Sequence, residues 1–493
     1  MRSTISLLVA VVLCLSTIAR AAIPEPGVEG PIPGNAYMTA PAPEADLKAH
    51  RYTEEEFFLS GTARRFTLDG ALPEDGRARA RPSDTAPYRT RLLVRRPANP
   101  EDFNGTVVVE WLNVSALSDG APDFGYLHRH LLREGYAWVG VSAQKAGLYG
   151  MPGRDTPIKP VAVADPERYG TLEHPGDAYA FDIFAQAGRA IRNPDTGVLG
   201  GLPAQRLLAN GESQSAFFMV TYVNAVAPLA KAYDGFLIHA RGGNAIPLSG
   251  IRPERSNPDY YNGAYRIRED STVPVLTVQS ETDVITLASH QARQPDSDRF
   301  RLWEIPGAAH ADTYLLKATA SDAPGTPVAT LAAQLAATDQ IMGTKTELPI
   351  NAGPQQHYIM HAALHHLNRW VRDGQAPPEA PRLWLADTAP ATLAKDQHGL
   401  ARGGIRTPWV DVPTAILSGL DQRGAGFAFL FGTTRPFSPE KLASLYPGGK
   451  DDYMARFTEA TDAAIKAGFL LEADREEIIA LADAMFPAID GAD

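Results

Sequence analysis

Arg206-Leu207-Leu208-Ala209-Asn210-Gly211-Glu212-Ser213-Gln214-Ser215 is the stretch on which the reading of this chain turns. Its first five residues form a short apolar run that ends at a glycine, the pattern of a buried strand. Residues 215–229 behind it read as a helix. A serine at the apex of such a strand–turn–helix junction is held in a strained conformation with its hydroxyl exposed. Small residues two before and two after it let strand and helix approach. Gly211 and Ser215 meet that requirement, with Ser215 standing where a second glycine is usual. A serine hydroxyl is a poor nucleophile, so the junction calls for a base within hydrogen-bond reach and a third group to orient that base.

Working outward, the same texture repeats on both sides. Thr106–Trp111 (TVVVEW) and residues 136–142 (YAWVGVS) read as buried strands, with helices at 124–134 and 177–192. Gly235–His239 (GFLIH), 273–278 (VPVLTV) and 301–305 (RLWEI) continue the series downstream. Strands alternating with helical stretches imply βαβ units and a mostly parallel central sheet flanked by helices. Before this series, at about residues 50–95, the runs 56–59, 64–68 and 88–94 read as antiparallel strands joined by turns, with Glu54-Glu55-Glu56 a solvated strand edge. After it, 358–371 is an amphipathic helix stopping at Asp373-Gly374, and 379–437 is irregular. Three short helices follow, the first with Ser438 as N-cap and the last with Asp474 and Glu477 as a capping box.

Two loops past strand ends carry the remaining chemistry, where parallel sheets bind ligands. The 273–278 strand leads into Gln279-Ser280-Glu281-Thr282-Asp283, and 301–305 leads into Pro306-Gly307-Ala308-Ala309-His310. The order serine, acid, histidine makes Ser213 the nucleophile and His310 the base. Asp283, nine residues after Pro274 and better suited to a tight turn, is the acid, with Glu281 as the fallback. Backbone N–H groups of Gln214 and of Leu112 or Asn113 are the expected oxyanion donors. Arg241, just past GFLIH, either holds a substrate carboxylate or braces its loop. His357, His361 and His365 share one helix face at metal-ligand spacing, but no HExxH glutamate or other carboxylate lies in that run, so packing or a substrate contact is the reading. No metal or cofactor is expected. The chain has neither a GxGxxG fingerprint nor a P-loop, which argues against dinucleotide- or ATP-dependent chemistry.

At its start, Arg2, an apolar run over 5–18 and Ala19-Arg20-Ala21 read as a signal peptide, residues 1–21. Its removal takes the only cysteine, Cys14, and with it disulfide, zinc-thiolate and cysteine-nucleophile chemistry. Losing Arg2 and Arg20 takes the formal charge from −11 to −13, and there are no basic runs. Nucleic acid and stable membrane insertion of the mature chain are therefore disfavoured as partners, and an exported protein, periplasmic or extracellular, is expected.

TEEEFFLSGTA, APYRTRLLVRRP, FNGTVVVEWLNVS, GYAWVGVSAQK, NGESQS, QSETDV, PGAAHADTY and RTPWVDVP, spread over residues 50–413, resemble the bacterial "alpha/beta hydrolase domain" proteins. These are exported proteins classed as serine esterases by their fold. The resemblance implies an α/β-hydrolase fold, with Ser213 at the nucleophile position, His310 at the base and the Glu281–Asp283 loop supplying the acid. It names no substrate. The reading is a catalytic domain over 22–378 and an appended helical and loop segment over 379–493 packing over the sheet or forming part of a lid. The chain then hydrolyses a carboxylic ester, small or polymeric, through an acyl-enzyme. An acyltransferase, an amide or peptide hydrolase, and a non-catalytic binding protein on the same fold remain the alternatives.

Overall fold

Runs rich in β-branched, aromatic and other apolar residues suit strands covered on both faces, and such strands build the centre of this chain. The structure, a computed structural model, describes residues 25–37, 44–154, 156, 158–251, 257, 260–341 and 343–487; the signal peptide read at 1–21 lies outside them. Nine strands make one sheet: β1 (Gly27–Glu29), β2 (Tyr52–Leu68), β3 (Ala80–Pro97), β4 (Thr106–Trp111) and β5 (Ala137–Val141), then β6 (Arg206–Glu212), β7 (Gly235–His239), β8 (Val275–Ser280) and β9 (Phe300–Ile305). Their order is β1-β2-β3-β5-β4-β6-β7-β8-β9. Pairs up to β3–β5 are antiparallel, and every pair from β5–β4 to β8–β9 is parallel.

Alternation within each strand divides the core in two. Val107, Val109 and Trp111 face one side, with Ala209, Phe236 and Ile238. Val108 faces the other, with Trp138, Leu208 and Leu237. The first face is covered by helices α2 (Ala180–Arg192) and α3 (Gln214–Thr221), the second by α1 (Pro122–Arg133) and α5 (Gln355–Asp373). Between them in sequence lies the short α4 (Glu281–Ile285).

Several expectations are corrected. The runs 56–59 and 64–68 are one strand, not two, because Ser60-Gly61-Thr62 stays in the ladder opposite Arg89, Tyr88 and Pro87. Gly61 serves close approach rather than a turn: a Cβ there would sit 3.0 Å from the Gln186 Oε1 atom and 3.2 Å from the Tyr88 ring. The glutamate trio is no solvated edge. Glu54 and Glu55 pair with Arg95 and Arg96 at 2.7 and 2.6 Å, and Glu56 is buried between Arg91 (3.3 Å) and Arg168 (2.6 Å). The helix read over 215–229 widens into a π turn at Tyr222–Val226, where the side chain of Thr221 donates to the Ile246 carbonyl instead of running on regularly.

The C-terminal part is woven into the molecule rather than hung from it. A hairpin of β10 (Ala415–Ser418) and β11 (Thr433–Pro436) precedes α6 (Pro439–Leu445), α7 (Gly449–Lys466) and α8 (Arg475–Met485). Of these α7 is not short, and Asp474 does not cap α8 with its side chain. Its carboxylate instead binds Arg133 of α1 at 2.7 Å and His361 of α5 at 2.9 Å. Leu442, Tyr453, Phe457, Ile478 and Leu481 join the same core cluster as Leu364 and Trp370. Among the described residues no helix is long and apolar enough to cross a membrane.

Candidate active site

The turn from β6 into α3 places Ser213 in a conformation that side chains avoid, φ 55° and ψ −116°. Its N–H donates to the His239 carbonyl at the end of β7, which fixes the apex against the sheet. Gly211 is needed for the approach of strand and helix, since a Cβ there would lie 3.1 Å from both Met219 and the Ser215 side chain. Ser215 is fully buried and its hydroxyl has no hydrogen-bond partner among the described residues.

From this apex a continuous run of hydrogen bonds leads away. Ser213 Oγ lies 2.8 Å from His310 Nε2, and His310 Nδ1 lies 2.6 Å from Asp283 Oδ1. The other carboxylate oxygen, Oδ2, accepts from the Ser280 N–H at 2.6 Å and its hydroxyl at 2.8 Å, while Ser280 Oγ accepts from the Asp283 N–H. This reciprocal cap at the start of α4 fixes the carboxylate with one oxygen turned to the histidine. His310 is held from behind as well, its N–H donating to Thr282 Oγ1 at 3.1 Å. Burial alone would lower the His310 pKa, but the facing carboxylates of Asp283 and Glu212 outweigh it and hold it above the ordinary value.

The two candidate acids therefore part company. Glu281 turns away from the histidine: its Oε1 accepts from the Gly307 N–H at 2.6 Å, and its Oε2 from Ser418 Oγ and the Gly419 N–H, both at 2.9 Å. It clamps the loops around β9 and β10 together.

Glu212, which the sequence reading passed over, stands beside Ser213. Its Oε1 is 3.2 Å from His310 Nε2, the nitrogen that faces Ser213. Asn113 Nδ2 donates to Glu212 Oε2 at 3.1 Å and to its carbonyl at 3.0 Å. Burial pushes the Glu212 carboxyl up to about 7, even against the pull of His310 and His239. The only signal available in the sequence was its place next to the serine.

Of the expected oxyanion donors, Gln214 fits. As the first residue of α3 its N–H precedes the helix's own bonds. Leu112 and Asn113 do not, because their N–H groups are spent on the Val141 and Gly120 carbonyls at 3.2 and 2.8 Å. The next N–H in that loop, of Val114, donates to a side-chain oxygen on the elbow itself, Gln214 Oε1, at 3.2 Å.

Arg241 braces its loop. Its guanidinium donates to the Gly242, Gly243 and Tyr265 carbonyls at 2.7, 3.2 and 2.7 Å, and burial lowers its pKa to about 9. The three histidines belong to packing. His357 stacks on Tyr314 with ring centres 3.9 Å apart and bonds the Tyr126 carbonyl, His361 bonds Asp474, and half-buried His365 lies edge-on to His130.

Ser213 and His310 open on a cavity of about 290 Å³, walled by Phe217, Ile246 and Leu287 on one side and by Phe427 and Leu430 on another. The strand order, the strained serine and the histidine that faces it define the class, an α/β hydrolase. The chain belongs to the alpha/beta hydrolase domain family, whose profile matches residues 28–480. No curated protein matches it. Solved structures with similarity to it include three hydrolases or esterases. A candidate dienelactone hydrolase from Klebsiella pneumoniae is 16% identical, with 53% of this chain and 91% of that one covered and a TM-score of 0.29. An α/β serine hydrolase without lid from Xanthomonas campestris is 13% identical, with coverage of 51% and 85% and a TM-score of 0.27. A fungal esterase from Rhizomucor miehei is 12% identical, with coverage of 54% and 79% and a TM-score of 0.27.

Proposed function

We propose that this protein is a serine hydrolase of carboxylic esters, with Ser213, His310 and Asp283 as its catalytic residues. The observation that carries the reading is the unbroken hydrogen-bonded run from Ser213 Oγ through both nitrogens of His310 to Asp283, opening on a cavity. Ser213 Oγ attacks the ester carbonyl carbon as its proton passes to His310 Nε2. Asp283 holds the imidazole in the tautomer that can accept it and balances the imidazolium that forms. Negative charge on the carbonyl oxygen is met by the Gln214 N–H at the start of α3. Collapse breaks the bond to the alcohol, which leaves with the proton from Nε2. Water then gives a proton to Nε2 and attacks the acyl-serine; the carboxylic acid departs, and Nε2 returns the proton to Ser213 Oγ.

A fluorophosphonate probe tests the nucleophile. It should label the wild type on Ser213, and Ser213→Ala should lose both the label and on the order of 10⁴–10⁶ in kcat on p-nitrophenyl esters. A label that persists in the alanine variant, or that maps to Ser215, overturns the assignment.

A further inference from the structure

The cavity beside Ser213 has a composition that speaks to the substrate. Phe217 and Leu287 come from behind the elbow and the β8 side, while Phe427, Leu430 and Phe431 reach in from the C-terminal segment. That segment is fastened next to the histidine itself, because the Ala311 N–H donates to the Leu430 carbonyl at 3.2 Å. Besides His310 and two tyrosines, the ionisable side chains among the described lining residues are acidic, Glu212 and Asp119. Asp119 is buried, with one oxygen 3.4 Å from Arg91 and the other without a hydrogen-bond partner among the described residues.

Resting on the hydrolase reading, we infer that the site takes uncharged esters with an extended apolar acyl group and rejects esters that carry a carboxylate. Two physical terms act in the same direction. An apolar chain gains by leaving water for a wall of Phe, Ile and Leu, by about fourfold in binding for each methylene buried. A substrate carboxylate would enter a low-dielectric space that already holds Glu212 beside the reacting centre. It would lose its hydration there and meet repulsion rather than a partner. The C-terminal segment supplies much of the apolar wall, so it sets how long an acyl group is accepted.

The experiment compares p-nitrophenyl acetate, butyrate, hexanoate and hemisuccinate at pH 8, with spontaneous hydrolysis subtracted, alongside fluorophosphonate titration of the same samples. The expected result is a kcat/KM that rises roughly tenfold from acetate to butyrate. Hemisuccinate should fall at least tenfold below butyrate, and Leu430→Ala should flatten the rise across the series. Rates are taken per labelled site, so loss of folded protein in the variant leaves the comparison intact, and the wild-type series stands without it. A labelled enzyme with no chain-length preference, or one that takes hemisuccinate as well as butyrate, overturns the inference and leaves the hydrolase reading standing. An enzyme that takes no label and cleaves none of the four overturns both.

Discussion

At the scale of single residues, Glu212 stands out because it shares the His310 Nε2 atom with Ser213. In the proposed mechanism His310 must be neutral to accept the serine proton, so activity should fall as pH drops through its folded pKa. That pKa is raised because Asp283 and Glu212 together outweigh burial. Replacing Glu212 with glutamine removes one of the two raising charges. The upper part of the acid limb of the kcat/KM profile should then move to lower pH, most clearly between pH 7 and 8, because the Glu212 carboxyl, pushed up to about 7, carries its charge there and loses it by pH 6. Profiles from pH 5 to 9 check this; limbs that coincide would mean that the 3.2 Å contact has no electrostatic weight. The plateau itself should drop, because the same carboxylate faces the imidazolium formed during attack. Residues of this kind are hard to read in a sequence. Ser213 and His310 announce themselves through strand ends and chain order, whereas the role of Glu212 depends on a loop far along the chain folding back over it.

At the scale of elements, the turn after β8 separates the carboxylate that meets His310 from a structural one two residues away. An extended strand would have kept Glu281 and Asp283 on one side. The chain instead enters α4 at once, so they diverge, and only Asp283 meets His310. Asp283→Asn should reduce kcat by about 10⁴ and also lose some stability, because its amide sets an N–H against either His310 or Ser280. Glu281→Gln should lose stability without that loss of rate. Its two oxygens accept three donors, and an amide would set an N–H against one or more of them, at about 1–3 kcal/mol for each buried group left unsatisfied. Its Tm should fall while kcat per labelled site stays within about tenfold, since loop geometry is all it touches. A dead Glu281→Gln with an active Asp283→Asn would reverse the roles. The elements themselves were legible in the sequence to the extent that a single local rule governed them. Parallel strands buried on both faces show as mainly apolar runs, so β4 to β9 could be read directly. The long β2 was cut in two because Gly61 looks like a turn until its neighbours Gln186 and Tyr88 are known. Leu112 and Asn113 were misjudged as donors because backbone hydrogen-bond partners leave no mark on the residues that have them.

At the scale of the whole molecule, the question is whether residues 379–493 are an appendage or part of the core. Read from sequence, the stretch before the last helices is only irregular, yet it carries Ile405, whose N–H bonds the Glu304 carbonyl, and Gly419, which meets Glu281. The last helices lay Phe457, Ile478 and Leu481 against the sheet-covering layer that holds α1 and α5. Asp474 is the polar anchor of that contact. Burial would raise its pKa, but His361 and Arg133 hold it well below the usual carboxylate range. A depressed folded pKa means stability that is complete above the unfolded value, near 3.9, and is lost as pH falls below that toward the folded value. Asp474→Asn removes the charge that faces His361 and the part-exposed Arg133, which keeps Glu134, so at pH 7 the variant should lose about 1.5–3 kcal/mol. Because the wild type forfeits its own advantage in acid, the gap between the two should narrow between pH 4 and pH 3. Urea unfolding of both proteins across that range checks the prediction, followed by fluorescence of Trp409, which stacks on Tyr358 of α5, and by far-ultraviolet circular dichroism. If the C-terminal helices share the core, both signals should move together in one transition that shifts as a whole in the variant. An early step in the tryptophan signal alone, with the bulk of the helix signal and fluorophosphonate labelling intact beyond it, would instead mark the segment as a separately folding cover.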